Sequence, residues 1–181
     1  MSDPRSALGG ARQDGFATIR EIGPIGMITL RAKAVKGLDK AIKAAVGTEA
    51  PGQRRIVWAG DMGCAWMSPD EYLLVMPYEA VGKALDTVAK ALKGAHHLAV
   101  DVSDARAVFQ IEGPGAADVL RKLCPVDFDR LEPGELRRTR AAQVPVAFWQ
   151  QDGGLRLVCF RSVAGYVMGL LGHSAMPGSE L

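Results

Sequence analysis

Short runs rich in β-branched and aromatic residues come in twos and threes along this chain, and each group is followed by one stretch of helical periodicity. Runs at 17–22 and 25–33, parted by Gly23-Pro24, precede a helix over 38–46, in which Leu38, Ile42 and Val46 recur every four residues and Gly47 supplies the stop. Runs at 55–59, 63–67 and 72–77 follow as a meander, with a hairpin turn expected at Asp61-Met62-Gly63. Ser68-Pro69-Asp70-Glu71 has the spelling of a capping box, but the residues from Tyr72 to Met76 have no polar face, so a tight turn into a buried strand is expected. A helix over 79–93 turns Val81, Leu85, Val88 and Leu92 to one side and ends at Gly94. Strands at 97–102 and 107–112, a helix over 116–123, strands at 136–142, 144–149 and 155–160, and a helix over 163–171 capped by Ser162 complete the series. Strict strand–helix alternation would spell a doubly wound parallel sheet. Clustered strands between single helices spell antiparallel or mixed sheets with helices packed on one side, the α+β class.

Composition narrows the function classes. The chain has 22 Lys and Arg against 20 Asp and Glu, a net charge of +2, with 48% hydrophobic residues. That balance describes a folded chain and excludes a disordered or polybasic nucleic-acid binder. The apolar stretch at 163–171 is less than half of the ~20 residues a membrane span requires. Residues 1–15 have scattered charge and no apolar core, so they read as a mobile leader. One α+β domain is expected over 16–172, a length that also accommodates two lobes, followed by a tail at 173–181. Cytoplasm is the expected compartment. Three widely spaced cysteines, Cys64, Cys124 and Cys159, suit buried thiols and not a disulfide frame.

Several constellations resemble chemistry and read better as structure. Gly113-Pro114-Gly115 opens a helix after a strand, as a dinucleotide loop does. Asp118 stands where the third glycine would, however, and Pro114 removes an N–H donor. His96, His97 and His173 have no metal-ligand spacing with one another or with the cysteines, so no metal or cofactor site is expected in this chain. Of the adjacent pair His96-His97, alternation exposes one and turns the other inward. Asp101-Val102-Ser103-Asp104-Ala105-Arg106 has carboxylates, a hydroxyl and a guanidinium, all of which also build turns. Gly165 and Gly169 suggest close packing of the last helix on its sheet. Arg137, Arg138 and Arg140 lie in the strand expected at 136–142, where the period of two puts Arg138 and Arg140 on one face and Arg137 on the other. Arg138 and Arg140 are the candidate partner contact, because Arg is enriched at interfaces. No catalytic residue is assigned.

Taken together, several segments resemble the gamma-subunit family of heterotetrameric sarcosine oxidases. They are Ala65-Trp66-Met67-Ser68-Pro69-Asp70-Glu71-Tyr72-Leu73-Leu74, Val100-Asp101-Val102-Ser103-Asp104-Ala105-Arg106 and Ile111-Glu112-Gly113-Pro114-Gly115-Ala116-Ala117-Asp118-Val119-Leu120. Pro133-Gly134-Glu135, Arg138-Thr139-Arg140 and Arg161-Ser162 extend the likeness, which covers about 16–171. The pattern is also similar to the folate-binding aminomethyltransferase and YgfZ-like group, whose members are about twice as long. The resemblance implies that fold, and an accessory role beside alpha, beta and delta subunits. FAD, FMN, NAD, folate and zinc would belong to those partners. Two other readings remain open: a stand-alone folate-dependent one-carbon transferase and a cysteine hydrolase.

Overall fold

The computed structural model describes residues 4–181. In chain order the first elements are β1 (Arg12–Asp14), β2 (Thr18–Ile22), β3 (Gly26–Arg31), α1 (Leu38–Val46), β4 (Ile56–Ala59), β5 (Met62–Ser68) and β6 (Glu71–Met76). Next come α2 (Val81–Ala91), β7 (Leu98–Asp101), β8 (Arg106–Glu112) and α3 (Ala116–Arg121). The last are β9 (Leu136–Ala141), β10 (Val144–Gln151), β11 (Gly154–Phe160) and α4 (Ala164–Ser174). These elements form two compact units, one of Ile25–Ser103 and one of the chain before Ile25 together with Asp104–Leu181.

The unit of Ile25–Ser103 is a five-stranded sheet ordered β4-β5-β6-β3-β7 with α1 and α2 on one face. Strand pleating sends Ile28, Leu30, Cys64, Leu74 and Met76 to that face, where they meet Ala41, Ile42 and Val46 of α1 and Val81, Ala84, Val88 and Leu92 near α2. The α1 boundaries are those its periodicity predicts, and Gly47, in the left-handed region at φ 77°, donates its N–H to Lys43 O and closes the helix. In α2, Ala84 reaches the core where Leu85 was expected, and Leu85 packs half-buried at its margin. The β4–β5 hairpin turns at Gly60-Asp61, pairing Ala59 with Met62, one step before the turn expected at Asp61-Met62-Gly63. Gly60 takes φ 64°, which a two-residue hairpin demands. Ser68-Pro69-Asp70-Glu71 is the expected turn, with Ser68 Oγ 2.8 Å from Asp70 Oδ1.

The other unit is a six-stranded sheet ordered β1-β2-β8-β11-β10-β9. Its inner face sets Ile19, Phe109, Ile111, Val146, Phe148 and Leu157 against Val119 and Leu120 of α3 and Val167 and Leu171 of α4. Every strand pairing in both units is antiparallel. The α+β class is therefore as the strand grouping requires.

Three local expectations are corrected in this unit. Residues 1–3 of the expected leader lie outside the described residues, but the remainder is tied down. Leu8 and Gly10 donate backbone N–H groups to the buried Glu21 carboxylate at 2.9 Å, Ser6 Oγ joins them at 2.9 Å, and β1 pairs with β2. Ser162 does not cap α4: it sits in a 3-10 turn, Arg161–Val163, and makes no cap hydrogen bond. Gly165 and Gly169 face open space, so they permit no close packing. The close approaches are made instead by Gly172, where a side chain would run into Gln13, and by Gly15, where it would meet the backbone of Ala175. The C-terminal tail is also held, with Lys122 Nζ donating to Ser174 O at 2.8 Å and to Ser179 Oγ at 2.9 Å.

Candidate functional site

β9 is the outer strand of its sheet, and its pleat sorts the three arginines. Arg138 and Arg140 are exposed on the face turned away from α3 and α4, while Arg137 lies opposite Phe148 on the inner face and is half-buried. Arg137 Nη2 is 3.0 Å from Glu135 Oε1. The buried Glu135 carboxylate also accepts the N–H of Glu132 at 3.1 Å. Arg137 is thus a structural cation that neutralises a buried carboxylate; strand alternation gives the opposite faces but not this role.

The Asp101–Arg106 cluster does not converge on a site. Asp101 Oδ1 accepts from Ser103 N at 2.9 Å and Ser103 Oγ at 2.6 Å, and Ser103 Oγ accepts from Met27 N at 2.9 Å. These bonds close a turn that pins the end of β7 to the start of β3. Arg106, in β8, lays its guanidinium over the Phe160 ring at 4.1 Å. One cluster in sequence therefore does two separate structural jobs.

All three cysteines are buried. Burial pushes the thiols of Cys124 and Cys159 up to about 12 and that of Cys64 higher still. A thiol so poised supplies almost no thiolate near neutral pH, which disfavours the cysteine-hydrolase reading. His96 and His173 are exposed, and the half-buried His97 places Nδ1 2.9 Å from Ala95 O. Among the described residues no three His, Cys, Asp or Glu side chains gather as metal ligands would.

Gly113-Pro114-Gly115 serves packing. Gly113 adopts φ 107°, and a Cβ on Gly115 would collide with the Phe16 ring. The loop borders an open cavity of about 490 Å³, whose walls include Ala116, Phe128, Leu131, Gln151, Asp152 and Leu155. Two of its polar side chains are already engaged: Gln151 Oε1 accepts from Trp149 Nε1 at 2.8 Å, and Asp152 pairs with Arg156. Sequence periodicity gave no sign of this cavity, because its walls come from a turn, a loop and a helix far apart along the chain.

The residues that looked chemical in the sequence thus build turns, core and close approaches, and the surviving exposed feature is the arginine-bearing end of a sheet face whose interior is buried. These observations define the class: an α+β module with the aminomethyltransferase-type fold. The glycine cleavage system aminomethyltransferase T from Bartonella henselae superposes with a TM-score of 0.63, covering 83% of this chain and 44% of that one at 11% identity, a likeness of fold alone.

The chain belongs to the sarcosine oxidase gamma subunit family, whose model matches residues 32–171. It is 36% identical over 140 residues to sarcosine oxidase subunit gamma from Arthrobacter sp, covering 75% of this chain and 68% of that one. It is 39% identical over 138 residues to the gamma subunit from Corynebacterium sp. strain U-96, covering 74% and 66%. A chain in the heterotetrameric sarcosine oxidase from Corynebacterium sp. U-96, solved in complex with pyrrole 2-carboxylate, superposes with a TM-score of 0.81 at 28% identity, covering 91% of this chain and 87% of that one.

Proposed function

We propose that this chain is the accessory gamma subunit of a heterotetrameric sarcosine oxidase, supporting the oxidative demethylation of sarcosine to glycine without catalysing it. The observation that carries this reading is the superposition on a chain of such an oxidase over nearly the full length of both. On this reading the alpha, beta and delta subunits are its partners. FAD, FMN, NAD, folate and zinc reside on those partners, and the assembly works in the cytoplasm. Buried, protonated cysteines and turn-building carboxylates support a chain that offers a surface and not a reaction centre. No helix among the described residues is long and apolar enough to cross a membrane.

Co-expression with the other three subunits tests this reading, with one co-migrating species containing this chain as the expected result. The runner-up, a folate-dependent one-carbon transferase, is tested on the isolated chain by equilibrium titration with tetrahydrofolate. Saturable tight binding there, with no association in the co-expression, would replace the accessory reading.

A further inference from the structure

The face of β9 that bears Arg138 and Arg140 continues across the sheet, where Ala147, Val158 and Val108 on it are buried and the row at its end is exposed or half-buried. Strand register sets Phe160 of β11 opposite Arg106 of β8, and Pro145 of β10 opposite Arg140 of β9. Val146 pairs with Cys159, so the same register carried one residue further sets Pro145 beside Phe160. Directly opposed residues in antiparallel strands share a face. Arg106, Phe160, Pro145 and Arg140 therefore form one row over four adjacent strands, with Arg138 next to its end. At ~4.8 Å per strand the two end guanidinium groups are anchored about 14 Å apart.

Two simpler explanations for this row fall short. Charged side chains guard sheet edges against unwanted pairing, which accounts for Arg138 and Arg140 on the outer strand. It does not account for Phe160, which is 47% exposed on an interior strand and has the Arg106 guanidinium stacked 4.1 Å above its ring. A phosphate backbone is the second candidate, but three guanidinium groups in a chain of net charge +2 neutralise few phosphates.

The geometry points to a docking strip for an acidic segment of a partner subunit, with carboxylates toward Arg106 and toward Arg138 and Arg140, and an apolar side chain between them on Phe160 and Pro145. Arginine forks receive carboxylates bidentately, and a half-exposed aromatic ring gives the central apolar contact an interface needs. This inference rests on the accessory-subunit reading and names the surface through which that role is exercised.

The test is recovery of the partner subunits on the tagged full chain after co-expression, comparing wild type with Arg138→Gln/Arg140→Gln and with Phe160→Ser. Circular dichroism and thermal melting confirm folding of each variant. The substituted groups are on the surface, and the glutamine pair introduces no charge that could unfold the strand. Wild type should recover its partners in equal proportion, and each variant should weaken association by about tenfold or more. Raising the salt from 0.1 to 0.5 M should weaken wild type and leave the glutamine variant less affected. Equal recovery by folded variants overturns the strip and leaves the accessory role standing. Failure of wild type to recover any partner overturns both.

Discussion

Ser103 Oγ accepts the backbone N–H of Met27 at 2.9 Å while its own backbone N–H and hydroxyl are bound by Asp101. Both partners of the first bond are buried, so Ser103 satisfies a strand-end donor that water does not reach. Ser103→Ala should lower the stability of the chain by about 1–3 kcal/mol, the range for a buried donor left without a partner. Urea titration followed by Trp fluorescence checks it, and an unchanged midpoint would remove this turn from the account.

Glu21 organises the N-terminal segment, because its carboxylate collects the N–H groups of Leu8 and Gly10 and the hydroxyl of Ser6. Glu21→Ala should release residues 4–11 while β2 to β11 stay folded. Amide exchange at residues 8 and 10 should accelerate by at least tenfold, and limited proteolysis should cut there first. Protection equal to wild type at those amides would show that β1 and the bonds from Arg161 to Arg5 O and Ser6 O hold the segment without Glu21.

Glycines should divide by location. Gly15→Ala would drive a methyl group into the Ala175 backbone and disturb the 2.9 Å bond from Phe16 N to Ala175 O, costing about 1–3 kcal/mol. Gly165→Ala, in an exposed helical position facing open space, should stabilise α4 by about 0.5–1 kcal/mol. Thermal melting of both variants reads the opposite signs, and equal shifts would contradict the packing described for α4.

Thiol burial gives a pH prediction. Cys124 and Cys159 are raised from an ordinary 9.0 to about 12 by desolvation, so the folded chain favours their protonated form. That preference is fully present below about pH 9 and is lost as pH rises through about 12. The denaturation midpoint should fall across this window, less steeply in Cys124→Ala/Cys159→Ala, and alkylation of the native chain at pH 8 should be slow for all three thiols. One thiol labelling quickly at pH 8 would revive the cysteine-hydrolase reading.

Periodicity made most of the fold legible, since α1 and ten of the eleven strands fall where apolar spacing puts them. β1 was not legible: Arg12, Gln13 and Asp14 are all exposed and polar, and the strand exists through pairing with β2 and through Glu21, neither of which leaves an apolar pattern. Ser162 and Gly165 misled because capping and close packing depend on neighbours supplied by distant chain. The alternation of Arg137 against Arg138 and Arg140 was readable, since period two is a local property of any strand. Their alignment with Phe160 and Arg106 was not, because sheet register joins residues that the sequence separates.

The most direct measurement is the activity and composition of the oxidase purified through a tag on a different subunit, with this chain either co-expressed or omitted. The chain should be present in equal proportion in the active complex, its omission should lower the yield of active complex, and the chain alone should turn over no sarcosine. A stable, fully active oxidase assembled without it would rule out the accessory role.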